Sequence, residues 1–303
     1  MTAGKYLQPS TREELVKALG EMTANSVILA GGTDFMVKQR SHPVDYDMIL
    51  SICKVAEMRG IEEMERDGAR WLRIGAMTTH GEIAENELVK TWFQALAMAC
   101  DHVGSKQIRN RGTIGGNLAN ASVAGDMIPV AHLFHEQLEI LDKTGLTRMV
   151  PVEEFLQGVG RTVLNNQEVL LAVYLPIRNV KSCFLKLGAR REVTIADISL
   201  AMSWRIQDSC FCDIEGILGA VDSKPIPLTM VNDLLGKQKM EEIDAEQLAE
   251  VLSEMIRDIR IRRTRSPRLR ILECEKVYKE CAVKGIVYDM LDRMKEMEGC
   301  GQK

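Results

Sequence analysis

Ile108-Arg109-Asn110-Arg111-Gly112-Thr113-Ile114-Gly115-Gly116-Asn117-Leu118-Ala119-Asn120, closed downstream by Asp126 and Pro129, is the stretch from which the rest of the chain is read. From Arg111 to Asn120 it holds three glycines, one threonine and two asparagines, a composition suited neither to a good helix nor to an ordinary strand. Glycine lets main chain approach a ligand closely. Successive N–H groups in such a turn converge on an anionic or carbonyl oxygen, and asparagine and threonine add short hydrogen-bonding groups. One loop of this kind is also what a plain surface connection looks like. A second one, Leu29-Ala30-Gly31-Gly32-Thr33-Asp34, stands upstream. Two oxygen-grasping loops suit a long, two-ended ligand better than one small anion.

The 303 residues, 46% apolar and 27% charged, are enough for two modest domains with a well-buried core. A formal charge of −4 argues against a general polyanion binder. Met1 to Ser10 has no apolar run after a basic segment, and no apolar stretch is long enough to cross a bilayer, so a cytoplasmic protein without a membrane span is expected. The eight cysteines show no Cys-x-x-Cys spacing. Cys210 and Cys212 share one face of a predicted strand with nothing nearby to complete a ligand set. Reduced thiols and no metal site are expected. His132 and His135 fit neither zinc-protease helix motif and read as a polar helix end.

Along the chain, 1–27 reads as a strand, a turn at Pro9-Ser10 and a helix capped by Ser10 or Thr11 with Glu13 or Glu14 in the capping box. Val27–Ala30 reads as a buried strand running into Gly31-Gly32, and Met48–Ile52 and Trp71–Ala76 as further strands. Thr78-Thr79-His80 starts a helix containing Ile83, with His80 either structural or close to a ligand. Thr91–Val103 reads as one helix with Phe93, Leu96, Ala97 and Cys100 on one side. Leu138–Asp142 and Val169–Leu175 read as strands rich in β-branched and aliphatic residues. Phe184 onward, 195–206 and 211–220 suggest an antiparallel sheet, and 244–260 is a helix lined by Leu248, Val251, Leu252, Met255, Ile256 and Ile259. Glu298–Lys303 is expected to fray. No Gly-x-Gly-x-x-Gly or Gly-x-x-x-x-Gly-Lys-Ser/Thr loop occurs, which argues against a Rossmann dehydrogenase or a P-loop enzyme.

Ile28–Phe35, Gly104-Ser105-Lys106-Gln107-Ile108-Arg109-Asn110 and Thr113–Asn117 together resemble the FAD-binding medium subunits of the molybdenum hydroxylases, the xanthine, carbon monoxide and nicotinate dehydrogenases and their relatives. The resemblance runs in order over nearly the whole chain. It implies an α+β fold: a two-part FAD-binding domain of the vanillyl-alcohol-oxidase/PCMH type at 1–176, with subdomains of about 1–55 and 56–176, then a smaller antiparallel-sheet domain with helices at 177–290 and a tail at 291–303. It implies that Ile28, Leu29, Ala30, Gly31, Gly32, Thr33, Asp34 and Phe35 hold the FAD diphosphate and adjoining ribose. Thr113, Ile114, Gly115, Gly116 and Asn117 would approach the flavin and its linker with backbone amides and the Asn117 side chain as donors. Val103 joins this set, Asp126 would accept from the hydroxyl-bearing chain, and Leu170 would pack near the flavin. Lys186, opening the segment Lys186–Arg191, would place a cation at the reactive edge. The family often has proline where Val123 stands, which leaves the local turn open but not the acid.

The function so implied is electron transfer. A molybdopterin-binding large subunit hydroxylates a substrate, a [2Fe–2S] small subunit passes single electrons, and this chain's dissociable FAD delivers pairs to an acceptor, expected to be NAD⁺. No residue is then catalytic in its own right. Two other readings stay open. A self-sufficient FAD oxidoreductase would turn over without partners. A nucleic-acid-binding module would use Arg257, Arg260, Arg262, Arg263, Arg265, Arg268 and Arg270, but no aromatic residue is interleaved there to stack on bases.

Overall fold

The computed structural model describes residues 3–188, 195–236, 238–263 and 272–299. The chain divides into two compact units, one from Met1–Leu88, Val103–Ser122 and Phe134–Ile177, the other from Val89–His102, Val123–Leu133 and Arg178–Lys303.

The first unit opens with a parallel three-stranded sheet in the order Ala3–Leu7, Tyr46–Ser51, Ser26–Leu29. Parallel neighbours need crossovers, and helices Arg12–Gly20 and Thr33–Ser41 supply them. Thr11 caps the first by accepting from the Glu14 N–H, and Leu15, Ala18 and Leu19 bury its apolar face, as the spacing predicts. The middle strand carries the core residues Met48, Ile49 and Leu50. The strand expected to be buried at Val27–Ala30 is Ser26–Leu29, half-buried along its length because it takes the sheet's edge.

An antiparallel five-stranded sheet follows, ordered Ile61–Arg66, Ala69–Gly75, Glu168–Pro176, Gln137–Asp142, Thr147–Pro151. Its central strand, Glu168–Pro176, is buried from Glu168 through Leu175, as its continuous aliphatic run predicts. A bulge falls between Leu170 and Ala172. Thr79 starts the helix His80–Glu85 with a full capping box to Glu82.

The second unit is built on the antiparallel sheet Lys181–Leu187, Ile198–Gln207, Cys210–Gly219, Ile226–Pro227. Trp204, Met202 and Phe211 from the sheet pack with Ile286, Val287, Met290 and Met294 from the helix Leu272–Met297. Two segments that precede this part of the sequence also belong here. The predicted helix Thr91–Val103 is in fact Glu87–Trp92 and Gln94–His102, separated at the buried Phe93. Gln94 Oε1 accepts from both the N–H and the hydroxyl of Ser182, while Ser182 Oγ accepts from the Ala95 N–H. Met127–Leu133 is a helix buried at every residue. Its Pro129 lies against Gly219, where a Cβ would come within 2.9 Å of the proline ring.

The end of the last helix departs from the expected fraying. Glu298 Oε1 accepts from the indole N–H of the fully buried Trp204 at 2.9 Å, and its Oε2 pairs with Lys181 at 2.8 Å. Glu298→Ala would leave the Trp204 N–H buried without an acceptor. We expect a loss of about 1–3 kcal/mol in urea unfolding, and an unchanged midpoint would show that the tail is not fastened. Residues 300–303 lie outside the described set.

Of the arginine-rich stretch, Arg257, Arg260, Arg262 and Arg263 fall in the helix Ala245–Arg263, and the remaining arginines lie outside the described residues. Among the described residues no helix is long and apolar enough to cross a membrane.

Candidate functional site

The two glycine turns meet in the first unit. Gly31 sits so close to the second turn that a Cβ on it would lie 1.9 Å from the Arg111 carbonyl oxygen. Only a glycine permits that approach. Gly32 follows at φ +79°, a left-handed conformation, and serves as N-cap of Thr33–Ser41 without any side-chain capping bond. Thr33, Asp34 and Phe35 therefore form the first turn of a helix whose N–H groups are not capped by a side chain. Such an end favours an anion.

The second turn is more ordered than its composition suggests. Ile114–Asn120 is a short helix, with Thr113 as N-cap accepting from the Gly116 N–H at 3.1 Å. Glycine is tolerated in this first turn, and here it is required. A Cβ on Gly115 would fall 2.6 Å from the Ala76 Cβ. The backbone amides expected to serve as donors are already engaged. Ile114 N–H bonds the Thr78 carbonyl, Gly115 N–H the Ala76 carbonyl and Asn117 N–H the Thr113 carbonyl. What this turn offers is the Asn117 side chain, whose Oδ1 is buried and has no hydrogen-bond partner among the described residues. A buried acceptor left in that state is costly unless a donor reaches it.

Lys38 donates to Asn120 Oδ1 at 2.7 Å, linking the helices that leave the two turns. Phe35 packs on Tyr46 with ring centroids 5.8 Å apart. Ile28 and Leu29 are half-buried strand residues, Val103 is half-buried, and Ile114 and Leu170 are core side chains. His80 is buried with its ring against Gly112, and burial lowers its pKa to about 4. A neutral imidazole under the turn fits the structural role.

A cavity of about 460 Å³ opens beside the juncture, lined by Ala30, Gly31 and Thr113 but also by Cys53, Arg59, Thr79 and Arg111. The sequence reading missed Cys53 and Arg59. Arg111 lay within the quoted stretch but was not singled out, although it lines the cavity.

Asp126 and Lys186 belong to the second unit. Lys186 Nζ is 2.7 Å from Asp126 Oδ2, and the two side chains are 5% and 6% exposed. Burial pushes the Asp126 carboxyl up, while Lys186 and then His102 oppose that shift. Asp126 Oδ1 is a second buried acceptor without a partner among the described residues. Arg190 and Arg191 lie outside the described residues. Among the described residues no cluster of His, Cys, Asp and Glu could hold a metal ion. His132 bonds the carbonyl of Ile128 in its own helix, and His135, at φ +50°, pairs with Glu153 at 3.1 Å.

In the first unit, the helix start at Gly32 suits a diphosphate, and the buried Asn117 Oδ1 suits a hydroxyl or ring N–H donor.

Known proteins are similar to this chain. A family model described as the FAD binding domain in molybdopterin dehydrogenase matches residues 2–178. The xanthine dehydrogenase FAD-binding subunit of Escherichia coli O157:H7 is 30% identical over 254 residues, 81% of this chain and 85% of that protein. The nicotinate dehydrogenase FAD-subunit of Eubacterium barkeri is 29% identical over 238 residues, 76% of this chain and 79% of that one. Among solved structures, quinoline 2-oxidoreductase from Pseudomonas putida 86 superposes with a TM-score of 0.81 at 22% identity, over 95% of this chain and 96% of that one.

Proposed function

The chain belongs to the FAD-binding subunits of the molybdopterin dehydrogenases, and from that membership we propose that it carries electrons from a [2Fe–2S] small subunit, serving a molybdopterin-binding large subunit, to NAD⁺. FAD is its cofactor, and when bound it supplies the step between single-electron donors and a two-electron acceptor. The chain's own residues bind, orient and tune. The Gly31-Gly32 turn and the first turn of Thr33–Ser41 receive the diphosphate through backbone N–H groups, with Ile28, Leu29, Ala30 and Phe35 shaping the strand end and helix start around it.

Thr113, Ile114, Gly115 and Gly116 set the wall that Asn117 projects from, and the Asn117 side-chain oxygen takes a donor from the flavin part. Val103 and Leu170 give apolar surface, Asp126 accepts from the hydroxyl-bearing chain, and Lys186 sets charge at the ring. The domain assignment follows the same reading, with 1–176 as the FAD-binding part and 177–290 as the smaller α+β part.

The observation that carries this reading is the seating of Gly31 on the Arg111 carbonyl, which brings both turns to one cavity. Affinity capture of the tagged full chain from its source cells, followed by absorbance and metal analysis, tests the assembly. We expect flavin, iron and molybdenum in the captured material, and NADH formation when an N-heteroaromatic or purine substrate is added with NAD⁺. A yellow protein captured alone and active alone would overturn the partner assignment.

A further inference from the structure

In the second unit, Lys186 Nζ contacts Asp126 Oδ2 at 2.7 Å and donates to the His102 carbonyl at 3.2 Å. The His102 ring stands on Phe184, with centroids 6.2 Å apart, and its Nδ1 is 2.7 Å from the Met98 carbonyl oxygen. The Asp126–Lys186 pair is nearly solvent-free. Withdrawing two charges from water costs several kcal/mol each, and their attraction offsets this only when the remaining polar atoms are satisfied. Here Asp126 Oδ1 has no partner among the described residues. As a purely structural element the pair is therefore poorly made, and as part of a binding site it lacks one donor.

A lone buried ammonium beside a flavin would strongly favour its reduced, more negative state. An ammonium already matched by a carboxylate presents a dipole whose field falls off much faster than that of a single charge. We propose that Asp126 is the charge compensator of Lys186: it holds the ammonium in place and reduces its effect on the flavin, so that the pair, rather than the lysine alone, sets how readily the cofactor gives electrons up. This rests on the reading above that Lys186 stands at the flavin's reactive edge. Asp126 Oδ1 keeps its role as acceptor for a cofactor hydroxyl, so one carboxylate both orients the ligand and tempers the cation. The physical gain is two-way traffic. A flavin made too oxidising by an unmatched lysine would accept electrons and release them poorly.

The test is the flavin midpoint potential of the full chain loaded with FAD, measured by reductive titration alongside FAD affinity and thermal stability. Asp126→Asn keeps an acceptor and removes the charge. We expect its potential to rise, with the oxidised-to-reduced equilibrium shifting at least about tenfold, roughly 30 mV for a two-electron couple. Adding Lys186→Met to that variant removes both charges and should bring the potential back towards the starting value. Lys186→Met alone should not raise it. A structural role alone would lower affinity or stability in all variants without this rise and return.

Retained FAD with an unmoved or lowered potential in Asp126→Asn overturns the proposal. So does loss of FAD by both Asp126→Asn and Asp126→Ser, which would make anchorage the residue's whole role. Failure of the unmodified chain to bind FAD overturns the cofactor-site reading as well, so the two failures are told apart.

Discussion

Gly31→Ala is expected to destroy FAD retention while Gly20→Ala leaves it intact. A methyl group at position 31 would sit 1.9 Å from the Arg111 carbonyl oxygen and 2.7 Å from its carbon, both main-chain atoms that cannot rotate away. The two turns must then separate. Relief of overpacking costs about 1–3 kcal/mol and occasionally more, and backbone against backbone belongs to the upper end. A displacement worth about 3 kcal/mol, expressed in binding, corresponds to roughly a hundredfold loss of affinity.

Gly20, near the end of its helix, has nothing within 4 Å of the same added atom, so its alanine variant controls for substitution itself. Fluorescence titration of FAD against the purified chains reads the difference. Equal affinities for Gly31→Ala and the unmodified chain would mean that the close approach of the turns does not matter to the cofactor.

The other large effect concerns stability. Glu136 is 1% exposed, its Oε2 has no partner among the described residues, and burial followed by the nearby Glu153 carboxylate raises its pKa to about 8. His135 pairs with Glu153 on the exposed side rather than with Glu136. The sign follows from linkage. A carboxyl that titrates near 4.5 when unfolded and near 8 when folded binds its proton more tightly in the folded chain. Its contribution is fully present below the unfolded value, falls as pH rises through that window, and is lost above the folded value.

Glu136→Gln removes the titration while keeping shape and a donor. We expect the variant to match the unmodified chain at pH 4.5 and to exceed it at pH 9 by on the order of 3–5 kcal/mol in urea unfolding. Parallel stability–pH curves for the two proteins would contradict the assignment.

Much of this structure was readable from local chemistry. Thr11 and Thr79 cap the helices their positions predicted, and the aliphatic run at 169–175 became the central strand. The second glycine turn was readable as a close-approach site but not as a helix start. Its amide partners are the carbonyls of Ala76 and Thr78, which become neighbours only when the strand Ala69–Gly75 is in place. The sequence therefore pointed to the close approach but not to the strand carbonyls that take up the turn's amides.

The segments 89–102 and 123–133 carry ordinary helical patterns, and nothing local says that their apolar faces are covered by a sheet formed much later in the chain. Glu298 looked like a frayed tail residue because its partners, Trp204 and Lys181, are likewise distant in sequence. In each case local patterning specified the element, and distant packing specified its partner.

A crystal structure of the full chain with FAD tests the central claim most directly. The account predicts the diphosphate against the backbone of 31–34, with the flavin part reaching the Asn117 side chain. A dinucleotide bound elsewhere, for instance in the 570 Å³ cavity lined by Arg178, Arg205 and Cys212 in the second unit, with both turns left bare, would contradict it.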